Sequence, residues 1–192
     1  MRTGLFFGSF NPIHIGHMAI ANYMVSYGPI DDLWFVVSPH NPLKKRKTLL
    51  NEYDRLELVN RAIGKDIRFK ASNIEFTMPK PSYTIDTLTY LSEQYPKRAF
   101  SLIMGEDNLA TINKWKNPEL LLEKYRLLVY PRPNVTTETT LLEHPNVELI
   151  EAPLMEVSSS FIRSAIKAGK DVRYFMPPGV YEYIDQKQLY TN

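Results

Sequence analysis

Two imidazoles three residues apart, His14 and His17, follow a glycine-bearing turn (Gly8-Ser9-Phe10-Asn11-Pro12) and flank Gly16. Residues three apart share one face of a helical turn. The lack of a side chain at Gly16 lets a ligand come close to the backbone. Glycine turn, helix start and paired nitrogen donors together suit an anion, most often a phosphate. A metal would be the competing ligand, but two histidines are too few for a closed site and the chain has no cysteine. A second polar cluster stands far downstream. Ser158, Ser159, Ser160 and Arg163 open an apolar-periodic helix carrying Phe161, Ile162, Ala165 and Ile166. Serines there are ordinary capping residues. Hydroxyls, a helix N-terminus and an arginine in one turn also make a polyphosphate clamp. Paired with the early turn, the clamp is the better reading.

The elements that must position these residues alternate. The apolar run from Gly4 reads as a buried strand, and a helix follows from His14 to about Gly28, with Ile15, Met18, Ala19, Asn22 and Val25 near one face. Further strands are expected at 33–38, 67–76 (with an irregularity near Asn73), 99–104, 126–130 and 147–152. Helices are expected at 51–63, with Asn51 as N-cap and Leu56, Val59 and Ile63 apolar, and at 83–95. Others fall at 106–115, 118–124, 159–168 and 177–187, while 133–146 reads as polar and mobile. Such alternation predicts an α/β fold, a Rossmann-like and mainly parallel sheet with helices on both faces. One domain over 1–192 is expected, closed by a small C-terminal helical segment at 155–192. Ligands of such sheets bind beyond the carboxyl ends of the strands. The Gly8–His17 turn, the basic loop with Lys44, Gly105–Asp107, Arg132 and Ser158–Arg163 all follow strands, so they should meet on one edge.

Composition narrows the function classes. A net charge of +2 without a long block of one sign demands neither nucleic acid nor a membrane surface. Zero cysteines exclude disulfides, thiolate catalysis and cysteine-ligated metal. No run reaches the roughly 20 apolar residues of a membrane helix, and no signal-like leader opens the chain. A soluble, cytoplasmic protein is expected, and the sequence leaves a homo-oligomer open.

The stretch GSFNPIHIGH at 8–17 resembles the His/Thr-x-Gly-His signature of the nucleotidyltransferase superfamily, and SSSFIR its second motif. Class I aminoacyl-tRNA synthetases share the first motif, but this chain is too short and lacks their lysine-rich loop. Three more stretches, PSYTIDTL at 81–88, GEDNLATINKW at 105–115 and YPRP at 130–133, are similar to the nicotinate-nucleotide adenylyltransferases. That resemblance implies transfer of AMP from ATP to nicotinate mononucleotide. It implies that His17 meets the α-phosphate, that His14 helps hold the triphosphate in a turn made by Gly8, Ser9, Phe10 and Gly16, and that Ser158, Ser159 and Arg163 bind its β/γ end. Gly105 and Asp107 would line the nucleotide site, Asp107 meeting a ribose hydroxyl. Thr84 and its backbone would meet the nicotinate carboxylate and Trp115 would stack on the pyridine ring, although a lone tryptophan is more often core. Lys44 and Arg132 are the candidates for the mononucleotide phosphate, and a Mg²⁺ ion would be held through substrate oxygens. The chain departs from the family at Ser9 and Asn11, where many members have Thr and Asp. It also has Asn41-Pro42-Leu43-Lys44 for Pro-Pro-His-Lys, which leaves His40 as a substitute for the loop histidine. Rival functions are an adenylyltransferase for nicotinamide mononucleotide or phosphopantetheine, a cytidylyltransferase for glycerol 3-phosphate, and a non-catalytic nucleotide-binding module.

Overall fold

The computed structural model describes residues 1–39, 49–133, 135 and 139–191. Among the described residues six strands form one sheet: β1 (Arg2–Gly8), β2 (Asp32–Val37), β3 (Phe69–Ser72), β4 (Ala99–Gly105), β5 (Arg126–Tyr130) and β6 (Val147–Leu149). The helices described with them are α1 (Ile15–Tyr27), α2 (Glu52–Ile63), α3 (Thr84–Gln94), α4 (Glu106–Leu109), α5 (Pro118–Lys124), α6 (Thr139–Leu142), α7 (Ser159–Lys167) and α8 (Pro178–Lys187). Every strand pair is parallel, in the order β3-β2-β1-β4-β5-β6. The order reverses between β1 and β4, and their carboxyl ends at Gly8 and Gly105 therefore border the crevice where such sheets bind ligands.

Side chains alternate across the pleat, so adjacent residues of one strand feed different cores. On β1, Leu5 joins Trp34, Val36, Ile85, Leu88 and Leu121 on one face, while Phe6 joins Phe35, Ile20, Met24, Leu58 and Ile162 on the other. Both faces are thus covered, which is why the central strands read as continuous apolar runs. Val180 and Ile184 of α8 enter the second of these cores. The C-terminal helical segment therefore packs on the body of the sheet. Tyr183 also donates to Asp54 at 3.2 Å, tying α8 to α2.

Several expectations are corrected. The strand expected over 67–76 is confined to Phe69–Ser72, and Ile74–Phe76 is a 3₁₀ turn. Among the described residues this strand pairs with β2 alone, whose register ends at Val36 against Ser72, and Ile67 is 97% exposed. The expected 106–115 helix breaks into α4 and a 3₁₀ turn at Ile112–Lys114. There the Thr111 hydroxyl donates to the carbonyls of Asp107 and Asn108. The last strand stops at Leu149, and the polar segment 133–146 contains the short helix α6. In α1 the buried face is Gly16, Ile20, Ala21 and Met24, not the stripe from Ile15 to Val25. A helix apolar on most sides carries little rotational information, and its first turn at the crevice sets its orientation instead.

Candidate active site

The crevice at the reversal point is a cavity of about 740 Å³, within the range of small-molecule sites. The first-motif residues Gly8, Ser9, Phe10, His14, Gly16 and His17 line it. So do Thr84, Gly105, Asp107, Trp115 and Arg132, together with Ser158, Ser159 and Arg163. Lys44 and His40 lie outside the described residues.

The turn is shaped by close contacts. Phe10 adopts a left-handed backbone (φ 43°) with its ring buried against Phe6, Phe35 and His17. That ring comes within 2.8 Å of where a Cβ on Gly8 would stand, so glycine is required there. His14 then caps α1. Its ring stacks on that of His17 at 3.7 Å between centroids, and a Cβ on Gly16 would press on it at 3.1 Å. The His14 backbone N–H donates to His17 Nδ1 at 3.2 Å. An accepting Nδ1 places the His17 proton on Nε2 of the neutral ring, so that ring brings an N–H donor to the cavity wall. Burial, aided by the nearby Arg132 guanidinium, holds His14 down at about 4. His14 is therefore uncharged at neutral pH in the ligand-free protein. No acidic residue occupies the first turn of α1 or of α7. Both helix starts thus keep their partial positive charge for an anion.

The two motifs meet. Ser159 Oγ donates to the Pro12 carbonyl at 2.9 Å, and Arg163 Nη1 donates to the Asn11 carbonyl at 2.7 Å. Ser158 Oγ accepts from Phe161 N–H at 3.2 Å, the ordinary capping bond. Capping and cavity lining are both true of this serine.

The opposite wall is looser. Asp107 and Arg132 pair at 3.4 Å with 48% and 37% of their side chains exposed. A side chain at Gly105 would collide with the Asp107 carboxylate and stand 3.2 Å from Arg132 Nε, so glycine keeps that pair over the strand end. Thr84 is the first residue of α3, whose N-cap Tyr83 offers no side-chain bond. Trp115 is half-buried and lines the same cavity, and Lys116 pairs with Asp86 at 2.7 Å.

Sequence reasoning missed Arg55 and Glu75. Arg55 is fully buried, and its guanidinium donates to the carbonyls of Ser9 (2.6 Å), Ser38 (2.8 Å), Leu50 (3.0 Å) and Pro39 (3.1 Å). It pins the first-motif turn to the end of β2. The available signal was an arginine at helical spacing from Leu58 and Val59, on the buried stripe of α2. Glu75, 2% exposed, borders the cavity and accepts from Thr87 Oγ1 at 2.9 Å. Burial pushes its carboxyl above the usual range.

A family model described as cytidylyltransferase-like matches residues 5–165. A Cytophaga hutchinsonii protein named probable nicotinate-nucleotide adenylyltransferase is 50% identical over 192 residues, all of both chains. One of the same name from Bacteroides fragilis is 47% identical over 97% of this chain and 92% of its own. Among solved structures, Plasmodium falciparum nicotinic acid mononucleotide adenylyltransferase complexed with NaAD superposes with a TM-score of 0.82. It covers 98% of this chain and 97% of its own at 20% identity, a likeness of fold.

Proposed function

The chain belongs to the nicotinate-nucleotide adenylyltransferase family, and on that footing we propose that its cavity transfers AMP from ATP to nicotinate mononucleotide, forming nicotinate adenine dinucleotide and pyrophosphate. The observation that carries this reading is the contact of Ser159 and Arg163 with the Asn11-Pro12 turn. These contacts, between residues 147 and 152 positions apart in the chain, make one cradle of the turn before α1 and the start of α7.

A phosphate monoester loses its second proton near pH 6, so the acceptor is already a nucleophile and needs no general base. One of its oxygens attacks the α-phosphorus of ATP. The bond from that phosphorus to the bridging β-oxygen breaks, and pyrophosphate leaves with the electron pair. The protein's share is in-line positioning and stabilisation of charge on the phosphoryl oxygens. His17 offers its Nε2–H to the α-phosphate, and the stacked His14 ring and the Gly16 backbone hold it there. Ser158, Ser159 and Arg163 receive the β/γ end, along with the free N–H groups that begin α7. Gly8, Ser9 and Phe10 shape the turn against which the nucleotide lies, and Gly105 and Asp107 receive a ribose.

On the other wall, the carboxylate of the pyridine ring meets the backbone N–H groups at Thr84, where α3 begins. Trp115 stacks on the ring, and Arg132 takes the mononucleotide phosphate, with Lys44 as a second cation for it. Among the described residues no three His, Asp or Glu side chains gather into a ligand set. A Mg²⁺ ion carried by phosphate oxygens and water would offset phosphate charge there. Among the described residues no helix is long and apolar enough to cross a membrane, and we place the reaction in the cytoplasm, with ATP and nicotinate mononucleotide as partners.

Pyrophosphate release with ATP and each acceptor in turn tests the reading. Nicotinate mononucleotide should turn over fastest, because a carboxylate and an amide differ by a full charge at a site of backbone donors. Faster turnover of nicotinamide mononucleotide rejects the substrate.

A further inference from the structure

Asn11 stands where three distant parts of the chain close on the first-motif turn. Its Oδ1 accepts from the Tyr190 hydroxyl at 2.9 Å and from Leu50 N–H at 3.3 Å, and its backbone carbonyl accepts from Arg163. The neighbouring carbonyls of Ser9 and Pro12 are held by Arg55 and Ser159. We propose that Tyr190 is a positioning residue for adenylyl transfer, its hydroxyl latching the Asn11 side chain so that the turn keeps the shape that receives the triphosphate. The latch rests on the proposed function, since it assigns a role within that site.

Backbone conformation on both sides of this bond supports the assignment. Left-handed φ is uncommon outside glycine and unfavourable for bulky side chains. Gln188 (φ 51°) and Tyr190 (φ 66°) nevertheless adopt it after α8, and so does Phe10 (φ 43°) beside Asn11. Such residues persist where the surroundings over-determine them. Here the consequence is to turn the chain after α8 back to a residue 179 positions earlier. The hydroxyl also keeps its proton. Burial pushes its pKa far up although Arg163 and Arg55 both pull it down, so Tyr190 is a donor throughout the physiological range. A donor there fixes which end of the Asn11 amide faces Tyr190 and Leu50, since an amide oxygen accepts and its nitrogen donates. Arg55, Ser159 and Arg163 hold backbone carbonyls; Tyr190 sets the side chain that projects from the middle of the turn.

Tyr190→Phe removes one hydroxyl and keeps the ring, so packing is retained. Steady-state kinetics should show the KM for ATP rising about fivefold, the size of one neutral hydrogen bond, with the KM for nicotinate mononucleotide unchanged. Combined with Asn11→Ala, the substitution should add nothing to the KM for ATP, because its partner is already gone. An unchanged KM for ATP, with only a lower melting temperature, overturns the latch and leaves Tyr190 a packing residue. Full additivity with Asn11→Ala overturns it as well. Binding of a non-hydrolysable ATP analogue to both proteins by calorimetry separates the two ideas. If the wild type makes no dinucleotide, the functional reading fails, while a fivefold weaker analogue affinity in Tyr190→Phe still supports the latch and equal affinities still reject it.

Discussion

The two walls of the cavity are built differently. On the side proposed for the triphosphate, the turn at 8–12 is gripped through its backbone by Arg55, Ser159 and Arg163 at 2.6–2.9 Å. Two rings stack at 3.7 Å behind it, and His14 is only 5% exposed. On the side proposed for the acceptor, the polar residues pair with each other across the surface, Asp107 with Arg132 and Asp86 with Lys116, in contacts that solvent weakens. The difference suits the proposed chemistry. Charge develops on the phosphoryl oxygens, and donors there help only if they are fixed before the reaction begins. The acceptor needs recognition, which exposed groups can supply by reorganising around it. Substitutions on the first wall should therefore damage turnover or stability, and those on the second mainly acceptor affinity.

The sharpest way to break this contrast is His17→Ala. Turnover should fall on the order of 10²–10³-fold, the usual loss for one charge-stabilising donor, with the melting temperature nearly unchanged. Near-normal turnover would place the chemistry elsewhere. The next effect concerns pH. His14 is held at about 4 against an ordinary 6.5, so the unfolded chain takes up its proton first. Its neutral, buried state carries no stability penalty above about pH 6.5, and stability falls as pH drops from there towards 4, by about 3 kcal/mol at most. Urea unfolding should show this slope in the wild type and a flatter one in His14→Gln. Equal slopes would mean that the ring is not desolvated. Arg55→Lys comes third. A lysine cannot reach the four carbonyls that the guanidinium fork serves, so stability should drop by about 2 kcal/mol, and the KM for ATP should rise while that for the acceptor holds. A rise confined to the acceptor would reverse the assignment of walls. Smallest is Trp115→Ala, for which the KM of nicotinate mononucleotide should rise about tenfold through lost stacking and ATP should be unaffected. An unchanged acceptor KM removes the ring from the site.

The same contrast governs what the sequence made legible. The strand, turn and helix around Gly8–His17 could be read because glycine, proline and apolar runs act locally. The parallel sheet followed from the alternation of elements. The meeting of Ser158–Arg163 with His14–His17 followed from both segments succeeding strands. Arg55 was not legible as a clamp, since its partners are carbonyls of Ser9, Ser38, Pro39 and Leu50, and a carbonyl has no sequence signature. Tyr190 was hidden for a related reason. Its partner is 179 residues away, and the left-handed turns that bring it there occur at residues that do not announce them. The face of α1 was misassigned because period alone cannot orient a helix with apolar residues on several sides. The break at Thr111 was not legible because the apolar period runs on through Ile112, and only the tertiary surroundings decide between one helix and two turns.

Whether an early turn and a late helix start grip one triphosphate is read from the affinity of Arg163→Ala for a non-hydrolysable ATP analogue, measured by calorimetry beside the wild type. Loss of a charge-assisted contact predicts at least about tenfold weaker binding of the analogue, with nicotinate mononucleotide bound as before. Equal affinities for the analogue in the two proteins would contradict the shared grip.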